Sequence, residues 1–261
     1  MGPMESTLVL FSFVFGLVIG SFLNVCIYRL PLGKSILFPP SSCPQCGSRI
    51  RFYDNIPLVS YVFLRGKCRF CRHPISIRYP VIEVLSGLVS VALFLRYGPS
   101  FSYLFLFAFS ASLITITFID LQYQIIPNVL TIPGIVLGLF FSFFSWSDLS
   151  WSDSLLGILG GGGVFYLVAT LFKLLRGKEG LGAGDIKLLA MLGAWLGWQA
   201  LPFVILISSV TGVIIGGGTL LLSRKKLETR IPYGPFLVLA AFVCLFFKDE
   251  LISLLYAEFF V

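Results

Sequence analysis

Phe101-Ser-Tyr-Leu-Phe-Leu-Phe-Ala-Phe-Ser-Ala-Ser-Leu-Ile-Thr-Ile-Thr-Phe-Ile119 runs for nineteen residues without a charge and ends on Asp120. As a helix at about 1.5 Å per residue it would rise roughly 28 Å, close to the roughly 30 Å hydrocarbon thickness of a bilayer. Similar apolar runs cover residues 7–27, 80–97, 126–145, 154–175, 185–199, 200–222 and 231–247. The sixth run in chain order is short and the last is marginal, so the reading is eight spans, with seven as the nearest alternative. The expected fold is an all-α polytopic integral membrane protein. The composition agrees: of 261 residues, 57% are hydrophobic, 16% aromatic and only 12% charged, with a mean hydropathy of +0.95. A soluble domain carries about 25% charged residues. A soluble core, a disordered tail and a secreted disulfide scaffold are therefore excluded. The first run follows Glu5 rather than a basic segment, and no small-residue cleavage site ends it, so it reads as a span and not as a cleaved signal.

The basic residues orient the spans. Nine Lys/Arg lie between Arg29 and Arg78; Lys173, Arg176, Lys178 and Lys187 form a second group, and Arg224, Lys225, Lys226 and Arg230 a third. With eight spans these groups share one face, which holds 17 of the 19 basic residues and is cytoplasmic by the positive-inside rule. The opposite face carries Glu5, Asp148, Asp153, Asp249, Glu250 and Glu258, placing both termini outside. The net charge of +7 is explained by orientation and by contact with anionic lipid, without a nucleic-acid partner. The expected division is a first membrane helix over 1–27, a cytoplasmic loop domain over 28–79 and a transmembrane core over 80–261.

The loop contains Cys43-Pro-Gln-Cys46 and, after 21 residues, Cys68-Arg-Phe-Cys71. Two CxxC knuckles can set four thiolates tetrahedrally around one zinc ion, although the gap is one residue longer than the usual pattern. Lys67, Arg69 and Arg72 favour thiolates, and a cytoplasmic position disfavours disulfides. Four protein ligands leave no open position, so such a zinc would be structural, supplying folding energy to a segment too small for a core of its own. His73 could replace one cysteine or be a solvated loop residue. Cys26 and Cys244 lie within spans as small apolar residues.

His73 is the only histidine. That removes HExxH zinc proteases and weakens Ser-His-Asp and Cys-His readings. Acids in membrane segments then gain weight. Glu83 begins the second span, Asp120 closes the third, and Asp185 opens the sixth in Gly182-Ala-Gly184-Asp185. The charge-derived topology places Asp120 and Asp185 at the same, cytoplasmic, depth although 65 residues separate them. Two facing carboxylates share a proton, and one can activate water while the other protonates a scissile carbonyl. Alternatively, Asp185 caps its helix and Asp120 is an interfacial loop residue. Gly182 and Gly184 would admit close backbone, and Pro127 and Pro133 interrupt the fourth span. The glycine runs at 160–163 and 216–218 suit close helix packing, and Ile231-Pro-Tyr-Gly-Pro235 reads as a structural turn.

Four segments together resemble the type IV prepilin peptidases. They are Gly20-Ser-Phe-Leu-Asn-Val25 running into Tyr28-Arg-Leu-Pro31; the double-CxxC loop with Asn55-Ile-Pro57, Leu64-Arg-Gly66, Arg78-Tyr-Pro80 and Glu83; Asp120-Leu121 with Ile126-Pro-Asn128; and Gly182-Ala-Gly-Asp-Ile-Lys-Leu-Leu189, the GxGD motif. The resemblance implies a bacterial inner-membrane aspartic endopeptidase that removes the short basic leader from type IV prepilins or type II secretion pseudopilins at the cytoplasmic face. It maps the two catalytic aspartates onto Asp120 and Asp185, with Gly182, Gly184, Lys187 and Glu83 as substrate-proximal or structural residues. It also implies N-methylation of the new amino terminus with S-adenosylmethionine, for which the sequence shows no GxGxxG after a strand and no soluble domain to hold the cofactor; a position near the cytoplasmic loop is the natural expectation. The position after Ile126-Pro127, often Asp in the family, is Asn128, which removes it as a catalytic acid. Asp54 or Glu179 would hold the basic leader. A proton-coupled transporter and a zinc-loop assembly factor are the competing classes. The first is disfavoured because its acids would lie at mid-bilayer.

Overall fold

A computed structural model describes residues 3–144, 149–177, 182–216, 218 and 232–259. Among the described residues there is no extended strand, only two isolated bridges, Ser42 with Arg49 and Lys67 with Pro74. The helices are α1 (Pro3–Arg29), a short α2 (Val59–Phe63), α3 (Arg78–Tyr97), α4 (Phe101–Tyr123), α5 (Asn128–Phe141), α6 (Trp151–Ile158), α7 (Phe165–Arg176), α8 (Ala183–Leu196), α9 (Leu201–Thr211) and α10 (Gly234–Phe259). The glycine run continues α6 into α7 as π-helix over Leu159–Val164, and a second π segment, Gly212–Gly216, follows α9. Each of the eight expected apolar runs thus carries a helix. Among the described residues, five helical segments are long and apolar enough to cross a membrane: Met4–Leu32, Arg78–Tyr97, Phe101–Tyr123, Trp151–Arg176 and Trp198–Ile215. Asn128–Phe141 and Gly234–Lys248 are shorter apolar helices.

The chain forms two compact units, residues 1–115 and 116–261. In the first, α1 and α3 meet backbone to backbone. A Cβ on Gly16 would lie 2.7 Å from the Gly87 Cα, and one on Gly20 would lie 2.7 Å from the Glu83 Cα. Small residues are what let apolar helices approach closely where hydrophobic driving force is absent. The Ser90 hydroxyl donates to the Ser12 carbonyl at 2.7 Å and pairs with the Tyr103 hydroxyl at 2.7 Å, which satisfies buried polar groups away from water.

In the second unit α8 is the centre. Ile186 and every residue from Leu188 to Leu196 are buried. A helix apolar all round has no face to give to solvent and is buried by its neighbours; here they include α5, α6, the π segment after α6, α9 and α10. Contact with α6 requires glycine on both helices. A Cβ on Gly157 would lie 2.1 Å from the Gly193 carbonyl oxygen, and the Ser154 hydroxyl donates to the Ala194 carbonyl at 2.8 Å. Gly161 packs on the Leu189 backbone, so the glycine run serves packing as expected. Pro133 is accommodated inside α5, while Pro127 precedes its first residue. The basic residues Lys178, Arg224, Lys225, Lys226 and Arg230 and the acids Asp148 and Glu179 lie outside the described residues, as do the side chains of Asp249 and Glu258.

Candidate functional site

The second unit gathers the expected acid site. Asp120 lies in the last turn of α4 and is buried at 5% exposure; Asp185 lies in the first turn of α8. The Asp120 carboxylate accepts from the Gly234 N–H, the first residue of α10, at 3.0 Å. Asp185 lies against the Gly182 backbone, close enough to Asp120 for the two charges to repel. Each carboxylate therefore sits at a helix N-terminus, where free N–H groups and the macrodipole favour negative charge.

Glycine is required at this site by contact. A Cβ on Gly234 would lie 2.7 Å from Asp120 Oδ2, and one on Gly182 would lie 2.8 Å from Asp185 Oδ2. Gly184 packs against Ile126, with its ideal Cβ position 3.0 Å away. Beside them, Lys187 Nζ donates to Asn128 Oδ1 at 2.8 Å, tying the start of α5 to the first turns of α8. The turn before α10 is fixed by the Tyr233 hydroxyl, which pairs with the Ser208 hydroxyl of α9 at 2.7 Å.

The first unit holds a cysteine cluster. Cys43, Cys46, Cys68 and Cys71 bring their sulfurs within 4.8 Å of one another, a set that could hold a metal ion. The two knuckles repeat one geometry. The Cys43 N–H donates to the Ser48 carbonyl at 2.9 Å and the Cys68 N–H to the His73 carbonyl at 2.8 Å. The residue after each second cysteine, Gly47 or Arg72, turns the chain at positive φ, +69° and +59°. The thiols are unequal. Hydrogen bonds from Ser48 lower Cys46 to about 6, and backbone hydrogen bonds from Cys71 and Phe70 lower Cys68. Cys71 takes a lowering backbone hydrogen bond from His73, yet desolvation and the neighbouring thiols push it up to about 11. His73 contributes its backbone and no ligand atom to this set, while Cys26 and Cys244 are buried, away from it.

Residues 14–97 match the bacterial peptidase A24 N-terminal domain, and residues 107–217 match the type IV leader peptidase family. A prepilin leader peptidase/N-methyltransferase of Pseudomonas putida is 40% identical over 91% of this chain and 90% of its own length. One of Aeromonas hydrophila is 40% identical over 92% of this chain and 90% of its own length. One of Burkholderia pseudomallei is 38% identical over 94% of this chain and 87% of its own length. The chain belongs to the type IV leader peptidase family. No solved structure matches it.

In this leader peptidase the residues singled out from sequence divide between the units. Asp120, Asp185, Gly182, Gly184 and Lys187 come together in the second. Glu83 belongs to the first, where it is buried and its Oε2 accepts from the Leu58 N–H at 2.8 Å. Gly234 was missed as a site residue, because Pro232-Tyr-Gly-Pro235 carries only the signal of a turn. Asp54 does not suit the role expected of it. Arg69 engages its carboxylate with three hydrogen bonds, holds it below the usual carboxylate range and leaves its side chain 6% exposed.

Proposed function

We propose that this chain is a membrane aspartic endopeptidase that removes the basic leader of type IV prepilins or type II secretion pseudopilins and then N-methylates the new amino terminus. The observation that carries the peptidase reading is the convergence of Asp120 and Asp185 at two helix N-termini. The carboxylates share one proton. The ionised partner takes a proton from water as the water oxygen attacks the scissile carbonyl carbon, while the protonated partner gives its proton to the carbonyl oxygen. As the intermediate collapses, the carbon–nitrogen bond breaks and a proton passes to the leaving nitrogen. Gly182 and Gly234 let the Asp185 and Asp120 carboxylates lie directly against backbone, Gly184 lets α8 approach Ile126, and Lys187 holds α5 and α8 in register through Asn128.

In this reading residues 1–27 are the first membrane helix, 28–79 the cytoplasmic zinc-binding loop and 80–261 the transmembrane peptidase core. The positive-inside rule puts the loop and the aspartates on the cytoplasmic side of the bacterial inner membrane, with both termini outside. The cysteine set fits zinc. Four sulfurs at about 2.3 Å from a tetrahedral ion stand about 3.8 Å apart, and the Cys43 and Cys71 sulfurs are 3.9 Å apart. Bound there, zinc ties the two knuckles together and takes no part in hydrolysis. S-adenosylmethionine supplies the methyl group. The membrane helices meet lipid, and the substrate is itself a membrane helix with a basic leader; no nucleic acid is involved.

The test is to incubate the purified protein with a prepilin and S-adenosylmethionine and read product mass and N-terminus. Cleavage with a methylated new terminus is expected. Asp120→Asn and Asp185→Asn should each lower cleavage by orders of magnitude, because each removes half of the proton relay. A docking protein would lose nothing, and a transporter would lose proton-linked flux instead.

A further inference from the structure

The first unit contains a cavity of about 540 Å³ bounded by the second half of α1, the first turns of α3 and the inner side of the cysteine loop. Small-molecule sites occupy roughly 300–1,000 Å³, so the space suits a ligand of cofactor size and not a membrane helix. Its wall carries polar groups that the fold leaves unused. Asn24 is 2% exposed, and its Nδ2 donates to the Gly20 and Tyr79 carbonyls, each at 3.2 Å. Those two acceptors fix the amide's orientation, because the opposite flip would set oxygen against oxygen. Asn24 Oδ1 is then left buried with no hydrogen-bond partner, and so is Arg78 Nε. The Glu83 carboxylate is buried beside them without a cationic partner among the described residues. It holds the N–H of Leu58, a non-glycine residue at φ +58°. Strained backbone of this kind persists where surrounding structure over-determines it, and it clusters at ligand sites.

A site with an unused amide oxygen, a buried carboxylate and an unused guanidinium N–H is made for a molecule bearing both signs of charge. Unpaired buried polar groups cost stability unless a ligand completes them. A basic leader does not match: Arg29, Arg49, Arg69 and Arg78 line the same cavity, and the Asp54 carboxylate is taken by Arg69. A molecule with an amino-acid head and a flat aromatic end does match, since Tyr61 and Phe70 add aromatic wall. We infer that this cavity is the S-adenosylmethionine site, with Asn24 Oδ1 and Glu83 receiving the ligand's cationic groups and Arg78 its carboxylate. The inference rests on the methyltransferase reading and adds to it the binding residues.

The experiment measures binding and not turnover. S-adenosylhomocysteine is titrated calorimetrically into the full-length protein in detergent, for wild type, Asn24→Leu and Glu83→Gln. Each variant is checked by its thermal unfolding midpoint and zinc content. In parallel, wild-type protein is photolabelled with an 8-azidoadenosyl analogue, with and without excess S-adenosylhomocysteine, and the labelled peptide is mapped. The expected result is wild-type binding, at least tenfold weaker binding in both variants, and competable label within residues 21–83. Wild-type binding with both variants within twofold, or label within residues 116–261, would overturn the cavity assignment and leave the methyltransferase reading standing. No wild-type binding would overturn that reading and this inference with it. If the variants do not fold, the label on wild type decides.

Discussion

Gly234 meets the candidate acid site without chemistry of its own. Its N–H donates to Asp120 Oδ2, and its hydrogen occupies the space where any side chain would begin, 2.7 Å from that same oxygen. Gly234→Ala therefore pushes a methyl group against the carboxylate, and either Asp120 or the start of α10 must move. Misplacing a reacting group by about 1 Å costs on the order of a hundredfold in rate. A fall of that size in leader cleavage is expected, with the thermal unfolding midpoint in detergent changed little. Cleavage within twofold of wild type would show that the contact does not position Asp120. Gly182 makes the equivalent approach to Asp185 and could be found from sequence, because it belongs to the GxGD motif. Gly234 lies 114 residues from its partner. Nothing local in a turn between prolines announces so distant a carboxylate.

Among the elements, the cysteine loop and α8 were legible to different degrees. The loop could be read from its spacing, because ligand type and interval already limit the metal geometry. The structure adds that hydrogen bonds to Cys46 and Cys68 favour their thiolates before any ion arrives. If the four cysteines hold the proposed zinc, wild type should carry one per chain by elemental analysis, and Cys68→Ser or prolonged chelation should remove it. The segment between Arg29 and Arg78 should become protease-sensitive, while circular dichroism keeps most of the helix signal. Full zinc retention in the variant would remove Cys68 from the ligand set. The sixth apolar run is short, as the sequence indicated, and only the structure shows what surrounds it. Its helix, α8, has 14 residues, about 21 Å at 1.5 Å per residue, and it is enclosed by other helices. Lipid tails and leucine side chains are equally apolar, so hydropathy cannot distinguish a helix facing lipid from one facing protein.

At the scale of the whole molecule, the proposal is that membrane depth selects the bond that is cut. A prepilin's cut site lies where its basic leader meets its apolar helix, and the charge-derived topology places Asp120 and Asp185 at that cytoplasmic interface. The substrate would enter from lipid and present unwound backbone, since helical amides are closed by their own hydrogen bonds. Moving the cut site two helical turns, about 11 Å, deeper into the apolar segment should abolish cleavage, read by product mass. Undiminished cleavage would show that depth plays no part. Of the acids expected from sequence to hold the leader, Asp54 is already neutralised by Arg69, and Glu179 lies outside the described residues.

By itself the sequence determined the class of molecule, the orientation to be tested and the chemistry within reach. Apolar run length, the distribution of lysine and arginine, the presence of one histidine and two CxxC pairs are all local quantities. Each is tied to its consequence by the cost of burying charge or by the geometry of a metal. Tertiary structure alone decided which groups meet. It brought Asp120 to Gly234, buried α8, and paired Asp54 with Arg69. It also left Asn24 Oδ1 and Arg78 Nε without partners around a cavity. The physical reason is that these outcomes depend on contacts between residues far apart in the chain. Close packing at glycines such as Gly16, Gly157 and Gly193 sets those contacts to a fraction of an ångström, and no local pattern of residue types encodes such distances.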